Sequence, residues 1–240
     1  MKSLLRRCFA FLIVLSSGLA AANAEKLPQP FTATYKAKYS GFDITAVRSL
    51  QALDNDRQLL QFKATSWMAN IEEQSQFQWG EHGFLIPQEY TYQRKVLGKK
   101  REAHLTFDWQ QKQVTNAVQD STWRMALPDV ALDKLGYQLQ LRKDLINSRD
   151  IGAYEIADGG RLKTYQFAIL GEEIVDTPLG KLNAIQVKRI RKNNKRTTHI
   201  WLAKDWDYLI VKLQQTEKGG KAYEINLSSA TVGDQTVTGL

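Results

Sequence analysis

The sequence predicts a mainly β protein: a curved antiparallel sheet that forms a barrel or half-barrel, with one helix packed on it or in it. Three observations favour this class. Apolar and polar residues alternate with period two in many short runs, which is typical of antiparallel strands with one buried and one solvated face. Glycine, asparagine and aspartate separate the runs at short intervals, as tight hairpins require. About a dozen strands in one such sheet tend to curl or close.

The alternation is visible in each predicted strand. The first, 31–39, has apolar or aromatic residues at its odd positions and threonine or lysine at its even positions. Similar runs follow at 59–65, 103–109, 123–127, 209–213 and 223–227. The stretch 165–227 is predicted to be a series of paired strands with turns at 176–180, 193–194 and 219–220.

One segment, 128–147, departs from this pattern. Its large apolar residues recur near helical spacing, at Leu132, Leu135, Leu139 and Ile146. Asp129 or Asp133 is suited to cap the start. We therefore predict a helix over about 130–147, with a weak point at Gly136, that buries its apolar stripe against the dry face of the sheet.

The first 24 residues have the composition of a secretory signal peptide. Three basic residues precede an apolar run at 9–15, which is too short to cross a bilayer, and 22–24 fits the small-residue cleavage rule. We predict cleavage after Ala24, with no transmembrane segment afterwards and a single β-rich domain over 25–240 in the periplasm. Cys8 is the only cysteine, so the exported chain would have no disulfide framework and no thiol chemistry.

The charge balance argues against a nucleic-acid partner. The chain has 33 basic and 25 acidic residues, and three of the basic ones lie in the predicted signal. The remaining chain carries a net charge of +5, which is a mild bias. Export makes a nucleic-acid partner still less suitable.

No catalytic or metal-binding motif is present in the sequence. The histidines His82, His104 and His199 are scattered, without the spacing of a zinc site, and no G-x-S-x-G elbow or phosphate loop occurs. We predict a non-enzymatic protein without cofactor, metal or catalytic residue. A carboxylate-based hydrolase of envelope glycans, using the acidic pairs 72–73 or 172–173, is the least favoured alternative, because it needs two carboxylates about 5–10 Å apart in one cleft.

Aromatic residues on apolar or mixed strand faces are predicted to line the interior. Such rings bury large areas while Tyr and Trp keep a polar tip, so they would suit an acyl chain or a sugar. They would equally fill a core that needs no ligand. The predicted ligand-binding residues are Tyr35, Phe62, Trp79, Tyr90, Tyr92, Phe107, Trp109 and Trp201.

Two basic runs are predicted at hairpin tips, one around Gly98 and one around 193–194. If both tips share one end of the sheet, they form a cationic rim that attracts anionic headgroups or wall polymer. Charged tips also protect exposed hairpins from aggregation. The predicted rim consists of Arg94, Lys99, Lys100, Arg101, Arg189, Arg191, Lys192, Lys195 and Arg196.

Four segments together resemble the domain of unknown function 3108, a family of exported Gram-negative proteins. They are FTATYKA at 31–37, DKLGYQLQLR at 133–142, GEE at 171–173 followed by TPLG at 177–180, and WLA at 201–203 followed by YLIV at 208–211. The resemblance implies a β-rich periplasmic protein and assigns no reaction and no site residues.

These observations lead to one functional hypothesis and one alternative. We predict a periplasmic protein that binds an amphiphilic or anionic envelope component, such as a lipid, glycolipid or wall polymer, in an aromatic-lined β-barrel. The alternative is a structural or interaction protein of the cell envelope, with a filled core and an envelope protein as its partner.

Overall fold

The computed structural model describes residues 25–39, 42–118, 121–192 and 195–240. The predicted signal peptide, Cys8 and the predicted turn at 193–194 lie outside these ranges. Within them, fifteen strands, one α-helix and two short 3-10 turns are present. The strands are β1 Phe31–Tyr39, β2 Phe42–Ala52, β3 Arg57–Thr65, β4 Ala69–Trp79, β5 Leu85–Val96, β6 Lys99–Asp108, β7 Gln113–Val118, β8 Ser121–Ala126, β9 Ala153–Ala157, β10 Leu162–Thr177, β11 Gly180–Ile190, β12 Arg196–Ala203, β13 Leu209–Glu217, β14 Ala222–Val232 and β15 Gln235–Thr236.

All fifteen strands belong to one antiparallel sheet. The order runs from β8 back through β7, β6, β5, β4, β3 and β2 to β1, then through β14, β13, β12, β11 and β10 to β9, and β15 pairs with β14. Two meanders are thus joined by the pairing of the first strand with the fourteenth. The outermost strands, β8 and β9, do not pair with each other, so the sheet is open. The predicted curved antiparallel sheet with a packed helix is confirmed, and the barrel is not closed.

The meander places alternate turns at the same end of the sheet. The β3–β4 turn at 66–68 and the β5–β6 turn at 97–98 lie at one end, together with the last residue of β11, Ile190, and the first residue of β12, Arg196. We call this the rim end. The turns at 178–179 and 204–208 lie at the opposite end.

The helix, α1, spans Gly136–Ile146 and begins later than the predicted residue 130. The reason is that Leu132 exchanges backbone hydrogen bonds of 2.9 and 2.8 Å with β9, which holds the preceding segment extended. The carboxylate of Asp133 accepts the N–H groups of Leu135 and Gly136 at 2.8 and 2.6 Å. Asp133 therefore caps the helix, and Gly136 is its first residue rather than a weak point inside it.

Helix α1 is buried on almost every side, including its polar positions. Gln140 accepts the backbone N–H of Leu85 at 2.8 Å, and Arg142 donates to the Asp207 carbonyl at 3.1 Å. The Lys143 ammonium donates to the His82 carbonyl at 2.9 Å and forms an ion pair with Glu25. These contacts fix the helix against one face of the sheet, which we call the inner face; the other is the outer face.

Candidate functional site

A cavity of about 170 Å³ lies between the start of α1 and the middle of the inner face. Strands β1 to β4 supply one wall, β13 and β14 supply the other, and the helix closes one side. Most of its lining is apolar. The lining residues are Tyr35, Arg48, Phe62, Glu73, Leu135, Gln138, Ile210, Leu213 and Ile225.

Strand register brings these residues together. Arg48 of β2 lies opposite Phe62 of β3, which lies opposite Glu73 of β4. The three side chains therefore form one row across neighbouring strands on the inner face. On the other wall, Leu213 lies opposite Ile225. The site thus combines residues distant in sequence that only the sheet pairing makes neighbours.

A second cavity of about 190 Å³ adjoins the first and shares Phe62 and Ile225 with it. Its other lining residues are mainly small or apolar: Ala37, Lys38, Ile44, Ala46, Ala64, Thr65, Ser66, Ala69, Ile71 and Tyr223. It extends from the middle of the sheet to the β3–β4 turn at the rim end. The two cavities together form a mainly apolar depression, which we call the groove. Arg48, Glu73 and Gln138 lie at its helix end, and Lys38, Thr65 and Ser66 lie at its rim end.

Arg48 is a charged residue in the groove wall, and it is only 9% exposed. Its Nη1 donates to the Gln138 amide oxygen at 2.6 Å. Its Nε has no hydrogen-bond partner among the described residues. Burial lowers the pKa of Arg48, but a guanidinium remains charged in proteins. Arg48 therefore lines the cavity and carries a buried N–H donor that has no acceptor among the described residues.

Glu73 supplies the acceptor at the same end of the groove. The Tyr90 hydroxyl donates to its Oε2 at 2.6 Å. Burial, followed by the nearby Glu73 charge, raises the pKa of Tyr90, so the phenol stays protonated. Arg48 and Glu73 thus offer opposite charges to a polar group that enters the cavity.

A second cation approaches the start of the helix from the other meander. Tyr137 of α1 packs against Tyr165 and Phe167 of β10, with ring centroids 5.4 and 5.7 Å apart. The Arg189 guanidinium lies 3.3 Å from the centroid of the Tyr165 ring, a cation–π contact. Burial raises the pKa of Tyr137, and the positive charges of Arg189 and Arg48 oppose this rise.

The predicted aromatic residues are only partly brought together. Tyr35 and Phe62 line the cavity, and Tyr90 adjoins it through Glu73. Tyr92 lies opposite Glu73 in register. Trp79, Phe107 and Trp109 do not line the cavity. Trp79 packs against Phe77, and Phe107 stacks on Trp109.

Trp201 lies on the outer face. It is opposite Lys212 in register, and Lys212 precedes Leu213, whose side chain lines the cavity. Because successive side chains of a strand point to opposite faces, Trp201 cannot reach the groove. Its indole N–H donates to Glu173, and the Lys212 ammonium lies 5.0 Å from the centroid of its ring.

The two predicted basic runs do lie at the same end of the sheet, the rim end. Arg94, Lys99, Lys100, Arg101, Lys192, Lys195 and Arg196 are exposed there. Arg189 and Arg191 differ, because both are half-buried. Arg189 covers Tyr165, and Arg191 donates to the Thr198 hydroxyl at 3.0 Å. The rim is therefore an exposed basic edge with two arginines turned toward the sheet.

Sequence reasoning did not place Arg48, Glu73 or Gln138 in a ligand site, and it considered Glu73 only within the acidic pair 72–73 of the hydrolase alternative. The first two could have been identified from their positions in the alternation of buried and exposed residues along their strands. Arg48 falls in the apolar phase of β2, between Ala46 and Leu50, and Glu73 falls in the phase of Ile71 in β4. A charged residue at a buried phase is expensive unless it is partnered or functional.

Two further findings concern the described ranges alone. Within them, no group of three or more His, Cys, Asp or Glu side chains is placed to hold a metal ion. Neither does any helix there have the length and apolar character needed to span a membrane.

Comparison with known families gives one clear match. The profile of a family described as protein of unknown function (DUF3108) matches residues 34–227, which confirms the resemblance noted in the sequence. No curated protein matches the chain at a significant level.

Solved structures show only distant similarity. A candidate lipoprotein from Parabacteroides distasonis ATCC 8503 is 10% identical, with a TM-score of 0.33, over 85% of this chain and 97% of that one. A candidate exported protein with a YmcC-like fold from Bacteroides fragilis NCTC 9343 is 12% identical, with a TM-score of 0.33, over 86% and 97%. A candidate outer membrane lipoprotein-sorting protein domain from Vibrio parahaemolyticus is 9% identical, with a TM-score of 0.26, over 85% of both chains. Scores this low support no inference about function.

Proposed function

This chain belongs to the DUF3108 family of proteins of unknown function, and we propose that it is an exported, non-enzymatic envelope protein that binds an amphiphile in the groove. The observation that supports this proposal most directly is the pair of adjoining cavities that share Phe62 and Ile225. Together they provide a mainly apolar depression with Arg48, Glu73 and Gln138 at its helix end. The predicted signal peptide supports the location in the envelope.

The shape and chemistry of the groove suit a chain with a polar terminus. Aliphatic and aromatic side chains line most of it, and each methylene transferred there from water contributes about 0.8 kcal/mol. The polar terminus would meet Arg48 and Glu73 near the helix, where a donor and an acceptor are available. This arrangement corresponds to a small-molecule site with an apolar wall and a few placed polar groups.

Native mass spectrometry of the protein purified from the periplasm without detergent tests this proposal. We expect a bound lipid or glycolipid that organic extraction releases. Ala64 lines the groove and Lys63 points to the other face of the same strand. Ala64→Trp should therefore remove the bound molecule, whereas Lys63→Trp should retain it. A wild-type protein that is free of ligand and also fails to bind C12 amphiphiles added in vitro would contradict the proposal.

A second candidate, an interaction protein of the envelope, is favoured by the edge of β10. Strand β9 pairs with residues 162–166 only, so the rest of β10 has β11 on one side and no strand of the described chain on the other. Ile169, Leu170 and Ile174 along this segment are about half exposed, at 48%, 50% and 57%. An exposed apolar edge is a site for strand addition by a partner. Cross-linking in the envelope from residue 174 would identify such a partner, and Leu170→Lys in the same chain should weaken the cross-link.

A further inference from the structure

We propose that the rim end docks on an anionic lipid bilayer, with Trp67 and Leu97 entering the headgroup region and the basic rim residues contacting lipid phosphates. This inference names a partner that the proposed function leaves open. It rests on the exposed side chains of two neighbouring hairpin tips rather than on the groove itself.

Among the described residues, Leu240 is the only large apolar residue that is more exposed than Trp67 and Leu97. Trp67, in the β3–β4 turn, is 74% exposed, and Leu97, in the β5–β6 turn, is 71% exposed. The Leu97 N–H donates to the Met68 carbonyl at 3.0 Å, so the two tips are joined. The Phe42 ring packs edge-to-face against the Trp67 indole, with ring centroids 5.4 Å apart. Two bulky apolar side chains therefore project together from one end of the protein.

Neither the geometry of the β5–β6 turn nor a gain in stability by burial explains why residue 97 is a leucine. Leu97 has φ 48, a left-handed conformation in which Asn or Gly is the ordinary residue of a tight hairpin. A leucine there is conformationally unfavourable, and its side chain gains nothing by burial. An apolar residue held at a tip in this way marks an interaction surface.

The charge around these tips selects the partner. Arg94, Lys99, Lys100 and Arg101 flank Leu97 and are exposed. A surface that combines projecting Trp and Leu with lysines and arginines matches the bilayer interface, where indoles lie at headgroup depth and basic residues are attracted to anionic lipids. A soluble polyanion would need the charges but not the apolar side chains.

The position of the tips relates docking to the groove. The second cavity is lined by Thr65, Ser66 and Ala69, which directly flank Trp67 and Met68 in the β3–β4 turn. The groove thus reaches the loop that would contact the bilayer. Docking at this end would place the groove beside the source or destination of an amphiphile.

Vesicle flotation tests the proposal with the full exported chain. We expect binding to vesicles of equal parts phosphatidylglycerol and phosphatidylcholine at low salt, and at least tenfold weaker binding to phosphatidylcholine alone. The double variant Trp67→Ser/Leu97→Ser should weaken binding to the anionic vesicles at least tenfold, and Lys99→Glu/Lys100→Glu should do the same. The matched control is Leu27→Ser/Val130→Ser, which alters two exposed apolar residues elsewhere and should bind as the wild type does.

Three results would overturn docking by the tips. The first is equal vesicle binding by the tip variant and the control. The second is no binding of the wild type to anionic vesicles. The third is release of vesicle-bound protein by soluble polyglutamate to the same extent in the wild type and in Trp67→Ser/Leu97→Ser. The groove is tested separately in the same variants by titration with dodecanol. The tip variants should retain dodecanol binding, and Ala64→Trp should lose it while still floating with vesicles.

Discussion

Ser75 of β4 donates a hydrogen bond of 2.5 Å to the carboxylate of Asp133, and this contact joins the inner face of the sheet to the start of α1. Both residues are fully buried. The other carboxylate oxygen accepts the N–H groups of Leu135 and Gly136. Burial nevertheless raises the pKa of Asp133 to about 6, because the hydrogen bonds only partly offset the loss of hydration.

The raised pKa predicts a stability change between pH 4 and pH 7. In the folded state Asp133 binds its proton up to about pH 6, whereas in the unfolded chain it releases it near 3.8. Its contribution to the free energy of unfolding is therefore complete below pH 4 and is lost as the pH rises through 6. The loss amounts to roughly 3 kcal/mol. We expect urea unfolding to show this decrease in the wild type relative to Asp133→Asn.

A matched control uses Asp129, an exposed carboxylate bonded to Lys112 at 2.7 Å. Its pKa is lowered, first by the hydrogen bond with Lys112. The Asp129→Asn protein retains Asp133, so it should lose stability with rising pH nearly as the wild type does. A difference between wild type and Asp133→Asn that stays constant from pH 4 to 7 would contradict the buried titration.

The strands could be predicted from the sequence because their pattern is local. Alternation in 31–39 or 103–109 reports which side chains are buried without knowledge of the partner strand. Closure of the sheet into a barrel could not be predicted, because it depends on whether β8 and β9 pair. The sequence of a strand does not identify the strand that pairs with it. The start of α1 was placed too early because the pairing of Leu132 with β9 overrides its helical spacing.

The site was less predictable than the fold. Tyr35 and Phe62 were identified because large rings on an apolar face line whatever space the sheet encloses. Trp201 has the same local pattern and lies on the outer face, where Lys212 and Glu173 cover it. Its face is set by the pairing of β12 with β13, in which Trp201 lies opposite Lys212 and Ile200 lies opposite Leu213, and no local pattern in β12 reveals that pairing.

A second prediction concerns the buried contact between α1 and β9. The Tyr154 hydroxyl donates to the Asp144 carboxylate at 2.8 Å. Tyr154→Phe removes the donor and leaves a buried acceptor without it, so we expect a loss of about 1–3 kcal/mol in the free energy of unfolding. Tyr165→Phe is the control: its Asp158 partner keeps a 2.6 Å bond from Lys163, and the loss should be smaller. Equal losses would contradict this account.

A third prediction concerns the turn between β10 and β11. Gly180 has φ 107, and a Cβ there would lie 3.0 Å from the Gly239 Cα. The C-terminal segment is held at this turn by the Gly239 N–H, which donates to the Leu179 carbonyl at 2.7 Å. Gly180→Ala should therefore destabilise the protein by about 2–3 kcal/mol through both strain and the displaced backbone.

Two other glycines separate these two causes. Gly98 has φ 80 with nothing within 4 Å of a Cβ, and Gly219 has neither a positive φ nor a close neighbour. Thermal or urea unfolding should show a loss of about 1 kcal/mol for Gly98→Ala and within about 0.5 kcal/mol of zero for Gly219→Ala. A Gly180→Ala protein as stable as Gly219→Ala would show that the C-terminal segment moves away freely.

The last prediction tests the charges in the groove. Arg48 is buried with a free N–H donor, and Gln138, its hydrogen-bonded neighbour, is neutral. Arg48→Gln should therefore weaken the binding of dodecanoate at least tenfold, which is about 1.4 kcal/mol, while dodecanol binding changes little. Glu73→Gln should strengthen dodecanoate binding, because it removes a negative charge from the same cavity. Calorimetric titration measures the binding of both ligands to each variant. The control is Arg124→Gln, which changes an exposed arginine. Equal weakening of both probes by Arg48→Gln would show that the arginine supports the cavity wall and does not recognise the anionic group.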